Sequence, residues 1–283
     1  MKLEYSTIKD EDIFILTDFN CHPSQELFRK KGMYKIVWCK DNPANIMVDG
    51  YEVKMEKNQV IFCTPLNVME IPLGTKGIIS FVFNKEFFCI QTHDEQVSCN
   101  GFLFFGSAQP QLVKLCEKEK KHFSMMLYFF EEDFGIKDQL QGEMLRSLLK
   151  RLLIQSTRMV KKDLPQSDIS NTQMDIIRQY NLLVEKYFRE KHQVKDYADL
   201  LFKSPKTLSN LFNKYGNKTP LLVIHERILL EAKRLLLYSS KTTEEIAFDL
   251  GYKNSGHFSK FFKKHEGLSP SIFKKTKITS TNH

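Results

Sequence analysis

Two stretches of this chain repeat one pattern, and the repeat fixes what its C-terminal third can become. Each is a short helix, a tight turn, and a second helix with apolar side chains on one face and polar or cationic ones on the other. In the first, Val194-Lys195-Asp196-Tyr197-Ala198-Asp199-Leu200-Leu201 reads as the short helix. Ser204-Pro205 marks the next helix start, because Ser caps orphan amides and Pro suits the first helical position. The spacing predicts a helix from Lys206 to Tyr215 that buries Leu208, Leu211 and Phe212, with Gly216 as its C-terminal cap. Its outward face is Lys206, Ser209, Asn210, Asn213 and Lys214. In the second, Thr243 to Tyr252 is a short helix and turn, with a small Ala247 for close packing and Gly251 for the sharp bend. Asn254 caps a helix expected to bury Phe258, Phe261 and Phe262 and to expose Ser255, Ser259, Lys260, Lys263 and Lys264.

The exposed helices begin at Lys206 and Ser255, 49 positions apart. Between them Pro220 to Leu237 reads as one helix with apolar Val223, Ile224, Ile228, Ala232, Leu235 and Leu236. At ~1.5 Å rise per residue it spans roughly 27 Å, close to the ~34 Å between successive major-groove faces on one side of DNA. Short helix pairs with a polar, cationic second member are the form of the DNA-reading helix-turn-helix. Lys, Asn and Ser at steps of three and four offer base-edge and phosphate hydrogen bonds from one face. The bland alternative is a basic helical bundle with solvated lysines.

Charge favours the first reading. Residues 171–283 hold 20 Lys+Arg and 11 Asp+Glu, net +9, while the remainder holds 22 and 23. A localised surplus points to a polyanion, either nucleic acid or an anionic membrane.

Residues 1–105 read as strands. Tyr34-Lys35-Ile36-Val37-Trp38-Cys39 alternates as half-buried strands do, and Asp49-Gly50 between Ile46-Met47-Val48 and Tyr51-Glu52-Val53-Lys54-Met55 is a strong hairpin signal. Val60 to Cys63, ending at Thr64-Pro65, and Gly77 to Phe83 supply further strands of an antiparallel sandwich or barrel. A metal-dependent barrel enzyme needs clustered His and carboxylate ligands. The only histidines of this segment are His22 and His93, with no HxH pair, and both read as ordinary hydrogen-bonding residues.

After Pro110 the period turns helical. Leu112, Leu115, Cys116, Phe123, Met126, Leu127 and Phe130 form one stripe, and Leu140, Met144, Leu145, Leu148, Leu149, Leu152, Leu153, Met159 and Val160 a second. Two amphipathic helices would form a hairpin that covers the barrel, and any leftover apolar face would favour a dimer. Lys161 to Asp168, polar with one proline, reads as a linker. The six cysteines (Cys21, Cys39, Cys63, Cys89, Cys99, Cys116) make no CxxC and read as reduced, mostly buried thiols of a cytoplasmic protein. No apolar window reaches a membrane span, and no signal-peptide core follows Met1.

The C-terminal stretch resembles the AraC/XylS family of bacterial transcription regulators. The residues carrying the resemblance are Arg227-Ile228 with Ala232 and Leu235-Leu236, then Glu245-Ile246-Ala247-Phe248-x-Leu250-Gly251-Tyr252. They continue through Asn254-Ser255-x-x-Phe258-Ser259-Lys260-x-Phe262-Lys263-Lys264 to Gly267-Leu268-Ser269-Pro270-Ser271-x-Phe273, with Ser204-Pro205-Lys206-x-Leu208-Ser209-x-Leu211-Phe212 matching the first unit. By position, the resemblance implies base-facing roles for Lys206, Ser209, Asn210, Asn213, Ser255, Gly256, Ser259 and Lys260, with Lys214 and Lys263 flanking them. Phe202 and Lys203 stand where a Gly and an apolar residue are usual, so a less regular first turn is expected. Gly256 offers DNA only backbone, and Asn210 stands where Arg is common.

The N-terminal half looks, more loosely, like the cupin-type effector barrel and dimerising helices of such regulators. The expected fold is therefore α+β multidomain. Residues 1–160 form a cupin-like antiparallel β-barrel (strands 1–105) with a helical hairpin (109–160), residues 161–171 a linker, and 172–283 an all-α double helix-turn-helix. The expected activity is non-enzymatic, sequence-specific binding of double-stranded DNA by a homodimer, without cofactor, metal or membrane. RNA polymerase contact and a small-molecule effector in the barrel are expected partners. A barrel that only dimerises, and a cupin enzyme fused to a DNA-binding domain, are the alternatives.

Overall fold

The computed structural model describes residues 1–7, 11–18, 32–90, 103–104, 110–163, 171–215 and 218–281. His22, His93, Cys21, Cys99, Gly216 and the linker positions 164–170 lie outside them. The chain divides into two compact units, one of Met1–Phe104 with Pro110–Asp163, the other built on the helices from Asn171 onward.

Among its described residues the first unit carries nine strands, all paired antiparallel. They are β1 (Lys2–Ser6), β2 (Ile13–Thr17), β3 (Met33–Cys39), β4 (Ala44–Val48), β5 (Tyr51–Met55), β6 (Gln59–Cys63), β7 (Met69–Glu70), β8 (Ile78–Asn84) and β9 (Gln111–Lys114). Among the described residues they make two sheets, ordered β1-β2-β8-β3-β6-β9 and β5-β4-β7. Val48 sits opposite Tyr51 across the expected Asp49-Gly50 turn, whose φ values of 50° and 78° are those of a tight two-residue hairpin. Asp49 is more than a turn former. Its carboxylate accepts hydrogen bonds from the Val68 amide (2.9 Å) and the Asn67 side chain (2.7 Å), which fixes the Thr64–Val68 loop.

The two sheets share one core. Ile15, Val37 and Val82 of the larger meet Ile46, Val48 and Met55 of the smaller, all nearly inaccessible to water. The reading of Tyr34–Cys39 as a half-buried strand is corrected here, because every residue of β3 is buried, and so is every residue of β8. The opposite face of their sheet is also covered: Phe14, Trp38 and Phe81 pack there against Phe123 and Phe130 at centroid distances of 5.2–5.5 Å. A strand covered on both faces has no solvent side for polar residues to occupy. Ser80 and Asn84 of β8 and Lys35 of β3 are buried there all the same, and Lys35 carries the charge. Fully buried, its ammonium donates to the carbonyls of Met33 (3.2 Å) and Asn67 (3.0 Å). Burial lowers its pKa to about 8 against the opposing pull of Cys63 and Asp49.

The covering aromatics belong to α1 (Glu117–Gly135), which forms the expected hairpin with α2 (Gln141–Asp163). Leu112 and Leu115 do not belong to the helical stripe. Gln111–Lys114 is β9, paired to β6 from Phe62↔Gln111 to Gln59↔Lys114. Four residues are too few for periodicity to separate helix from strand, and the open edge of β6 decides. On α2, Arg146 ties the hairpin to the sheet through an ion pair with buried Asp12, a hydrogen bond to the Phe87 carbonyl (3.0 Å) and a stack over the Phe87 ring. Cys39 and Cys63 are buried as expected, but Cys116 is exposed.

The regular elements among the described residues of the second unit are all helices: α3 (Asn171–Tyr187), α4 (Val194–Leu200), α5 (Pro205–Tyr215), α6 (Pro220–Tyr238), α7 (Thr243–Asp249), α8 (Ser255–Glu266) and α9 (Pro270–Thr281). No helix among the described residues is long and apolar enough to cross a membrane.

Candidate nucleic-acid interface

The two helix-turn-helix units share the backbone hydrogen bonds of their turns. In the first turn the amides of Phe202 and Lys203 donate to the carbonyls of Asp199 (3.1 Å) and Ala198 (2.9 Å). In the second, Gly251 and Tyr252 donate to those of Phe248 (2.9 Å) and Ala247 (2.9 Å). Phe202 and Gly251 share left-handed backbone, with φ of 54° and 80°. The expectation of a less regular first turn is therefore corrected. Phe202 adopts the glycine conformation, at the cost of about 1–2 kcal/mol that a Cβ adds there, and its ring is 93% exposed.

Glycine at 251 meets a stricter demand. A Cβ on it would lie 1.9 Å from the Arg189 carbonyl oxygen, so the second turn packs its bare backbone on the loop after α3. Each following helix then starts from a capping side chain. The Ser204 hydroxyl accepts from the Thr207 amide (3.0 Å), and the Asn254 side-chain oxygen accepts from the Gly256 amide (2.6 Å).

Buried residues set which way the reading faces point. Leu208, Leu211 and Phe212 anchor α5, and Phe212 meets Tyr180 of α3 edge-on at 5.0 Å. Phe258 and Phe262 anchor α8, whereas Phe261 is half-buried rather than buried. Equivalent helix positions differ by 50, the turns by 49, because Lys253 is one extra residue before the second cap. Lys206, Ser209, Asn210 and Asn213 thus correspond to Gly256, Ser259, Lys260 and Lys263, both sets at steps of three, four and seven.

On α5, all five sequence-predicted residues (Lys206, Ser209, Asn210, Asn213, Lys214) are exposed, although the Ser209 hydroxyl donates back to the Pro205 carbonyl (3.0 Å). On α8, Gly256, Lys260 and Lys263 are exposed, while Ser255 and Ser259 are half-buried on the flanks. Ser255 aligns with Pro205, one step off the outer face. His257 and Lys264 are also exposed, and only Lys264 stood out from the spacing.

Behind the reading helices lies an ionic frame that sequence reading missed. Glu231 of α6, 1% exposed, receives Arg189 (2.8 Å), Arg227 (3.3 Å) and Arg234 (3.1 Å). Arg227 also grips Glu185 of α3 with two hydrogen bonds of 2.6 and 2.9 Å and covers the Phe188 ring at 3.9 Å. Lys233 pairs with Glu266 at the end of α8. The connector α6 is thereby fastened both to the first helix and to the second reading helix. Beside it the rings of His225 and His265 lie 5.0 Å apart, each against Phe261. Burial, reinforced by His265, Lys264 and His192, lowers the His225 pKa to about 4.

A family profile described as a helix-turn-helix domain matches residues 197–276. The raffinose operon transcriptional regulatory protein RafR of Pediococcus pentosaceus is 32% identical over 114 residues, 39% of this chain and 41% of the relative. The HTH-type transcriptional activator RhaS of Escherichia fergusonii is 31% identical over 87 residues, 31% of each chain. The chain thus spans less than half the length of these curated relatives. Among solved structures, a Chromobacterium violaceum transcriptional regulator with an AraC-type DNA-binding domain is 23% identical over 38% of this chain and 96% of its own, at a TM-score of 0.34.

Proposed function

We propose that this chain, whose residues 197–276 form an AraC-type helix-turn-helix domain, is a sequence-specific DNA-binding regulator of transcription. One observation carries the reading: two turns with matching backbone hydrogen bonds present corresponding four-position faces on α5 and α8, held by a single connector helix. The connector, 19 residues from Pro220 to Tyr238, is long enough to hold the two helices against successive major-groove segments.

The two faces divide the work. On α5, Asn210 and Asn213 are amides of the kind that pair bidentately with adenine, and Lys206 suits guanine. On α8 the same positions are Gly256, Ser259, Lys260 and Lys263, so a side-chain-free approach is followed by cations. Discrimination between bases is assigned chiefly to α5, with Ser209 beside it, and phosphate attraction chiefly to α8, with Lys214 and Ser255 flanking the two faces. The protein acts in the cytoplasm, as a homodimer whose contact includes the exposed Tyr128, Ile136, Leu140 and Met144 of the α1–α2 hairpin. It contacts RNA polymerase from its promoter site, and an effector acts through the N-terminal unit.

Selection of bound duplexes from a genomic pool at moderate salt tests this reading, and absence of any sequence preference refutes it. Replacing Lys260 and Lys263 by Ala should reduce the slope of log K against log salt by about 2 while leaving base preference intact. Replacing Asn210 and Asn213 by Ala should leave the slope alone and flatten the preference at one half-site, by roughly 1–3 kcal/mol for each amide removed. Flattening by the lysine pair instead would refute the division of labour without refuting DNA binding.

A further inference from the structure

Away from the hydrophobic core shared by the two sheets, a groove of about 400 Å³ lies between α1 and α2. Its floor is apolar: Phe123 and Met126 from one helix, Leu152 and Met159 from the other, all buried. Its rim is cationic. Lys118 stands on α1, and Arg151, Arg158 and Lys162 stand on one face of α2, at steps of seven and four. None of these four cations has an ion-pair partner among the described side chains. Among the described residues Glu119 is the only acidic one lining the groove, and its carboxylate is occupied in accepting the Cys116 amide at 2.8 Å.

Four cations against the single carboxylate of Glu119, around a buried apolar floor, are complementary to a molecule that is apolar along its body and anionic at one end. Guanidinium forks suit planar or tetrahedral oxyanions bidentately, and the volume falls in the range of small-ligand sites. A second copy of the chain is a poorer occupant. A two-fold contact places the same patch against itself, which would gather two sets of Lys118, Arg151, Arg158 and Lys162 into one interface with only the two Glu119 carboxylates among the lining residues to oppose them. We propose that the α1–α2 groove binds a small amphipathic organic anion, an aromatic or alkyl body bearing one sulfonate, carboxylate or phosphate. The site lies outside the β core, where the sequence pointed for an effector, and it stands independently of the DNA-binding reading.

Anilinonaphthalene sulfonate is a suitable probe, being apolar, singly anionic and fluorescent on burial. The full chain should bind it saturably at one site, and more tightly than the neutral N-phenylnaphthylamine. Arg151→Ala with Arg158→Ala should weaken the sulfonate on the order of tenfold and leave the neutral amine unchanged. The Arg151→Lys, Arg158→Lys variant should bind with an affinity between those of the parent and the alanine variant, keeping the charge and losing the fork, which separates both from loss of fold. Three results would overturn the proposal: equal binding of the neutral amine, unchanged sulfonate affinity in the alanine variant, or affinity that falls with rising protein concentration because a second copy covers the groove.

Discussion

Gly251→Ala and Phe202→Gly probe the equivalent residues of the two turns, and the structure assigns them opposite effects. At 251 the backbone has φ 80°, where a Cβ costs about 1–2 kcal/mol. The same Cβ would meet the Arg189 carbonyl oxygen at 1.9 Å and its carbon at 3.0 Å, both backbone atoms that cannot swing aside. Forcing that loop away adds a further ~1–3 kcal/mol, as overpacking does elsewhere. The sum is about 3 kcal/mol against the second unit, or a fall of about 2 M in its urea midpoint at a slope typical of a small domain. At 202 the same relief runs in reverse. Glycine removes the left-handed penalty and loses no packing, since the ring is 93% exposed, but it adds unfolded-state entropy worth roughly 0.5–1 kcal/mol. The net expectation is a gain of up to about 1.5 kcal/mol. The assay has an internal control, because Trp38 is the only tryptophan and is buried in the first unit. Its fluorescence reports that unit alone, while helical circular dichroism is weighted to the second. A Gly251→Ala protein whose dichroism midpoint stays within about 0.3 M of the parent would refute the close approach to Arg189.

Other consequences can be checked with the same probes. Glu231→Ala removes the carboxylate, 1% exposed, that Arg189, Arg227 and Arg234 share, and leaves the largely buried Arg234 without it. It should destabilise the second unit by about 3 kcal/mol, and a surface-like loss below about 0.5 kcal/mol would show that the network is ornamental. Acidification should act on the same unit through the histidines. A base whose folded pKa lies below its unfolded value stabilises the fold above the unfolded pKa, and that stability is lost as pH falls through the window down to the folded pKa. For His225 the window runs from the ordinary 6.5 to about 4, so thermal midpoints should fall between those values and His225→Gln should flatten the decline. Lys35 works with the same sign at higher pH. Its charge is the disfavoured form when folded, so the first unit should gain stability as pH rises from about 8 to 9. Above that the buried Cys39 and Cys63 thiols, whose pKa values burial raises, act with the opposite sign. Trp38 fluorescence reads the gain, and Lys35→Met should abolish it.

Local features of the sequence were enough for the elements that depend on neighbours a few residues away. The Asp49-Gly50 hairpin, the Ser204 and Asn254 caps and the buried faces of α5 and α8 all follow from spacings of two to four residues. The duplicated turn was legible for the same reason, and so was the exposure of Lys206, Asn210, Asn213, Lys260 and Lys263. Distant partners were not legible. Whether Gln111–Lys114 is helix or strand depends on β6, about 50 residues earlier, offering an unpaired edge. That β3 is buried on both faces depends on α1 and on the second sheet. Phe202 looked like a defect until the hydrogen bonds of its turn proved equivalent to those of Gly251, since a residue's type states what conformation is cheap and only the surrounding fold states what conformation is imposed. Arg227 could be placed in a family pattern, but its grip on Glu185 needs a helix 42 residues away. The modules and the chemistry of their exposed faces could be read from the chain alone, because local periodicity and residue type set them. The ionic frame behind α6, the strict need for glycine at 251 and the cationic groove of the hairpin are products of the tertiary fold. Each depends on distances between groups that the chain brings together only by folding.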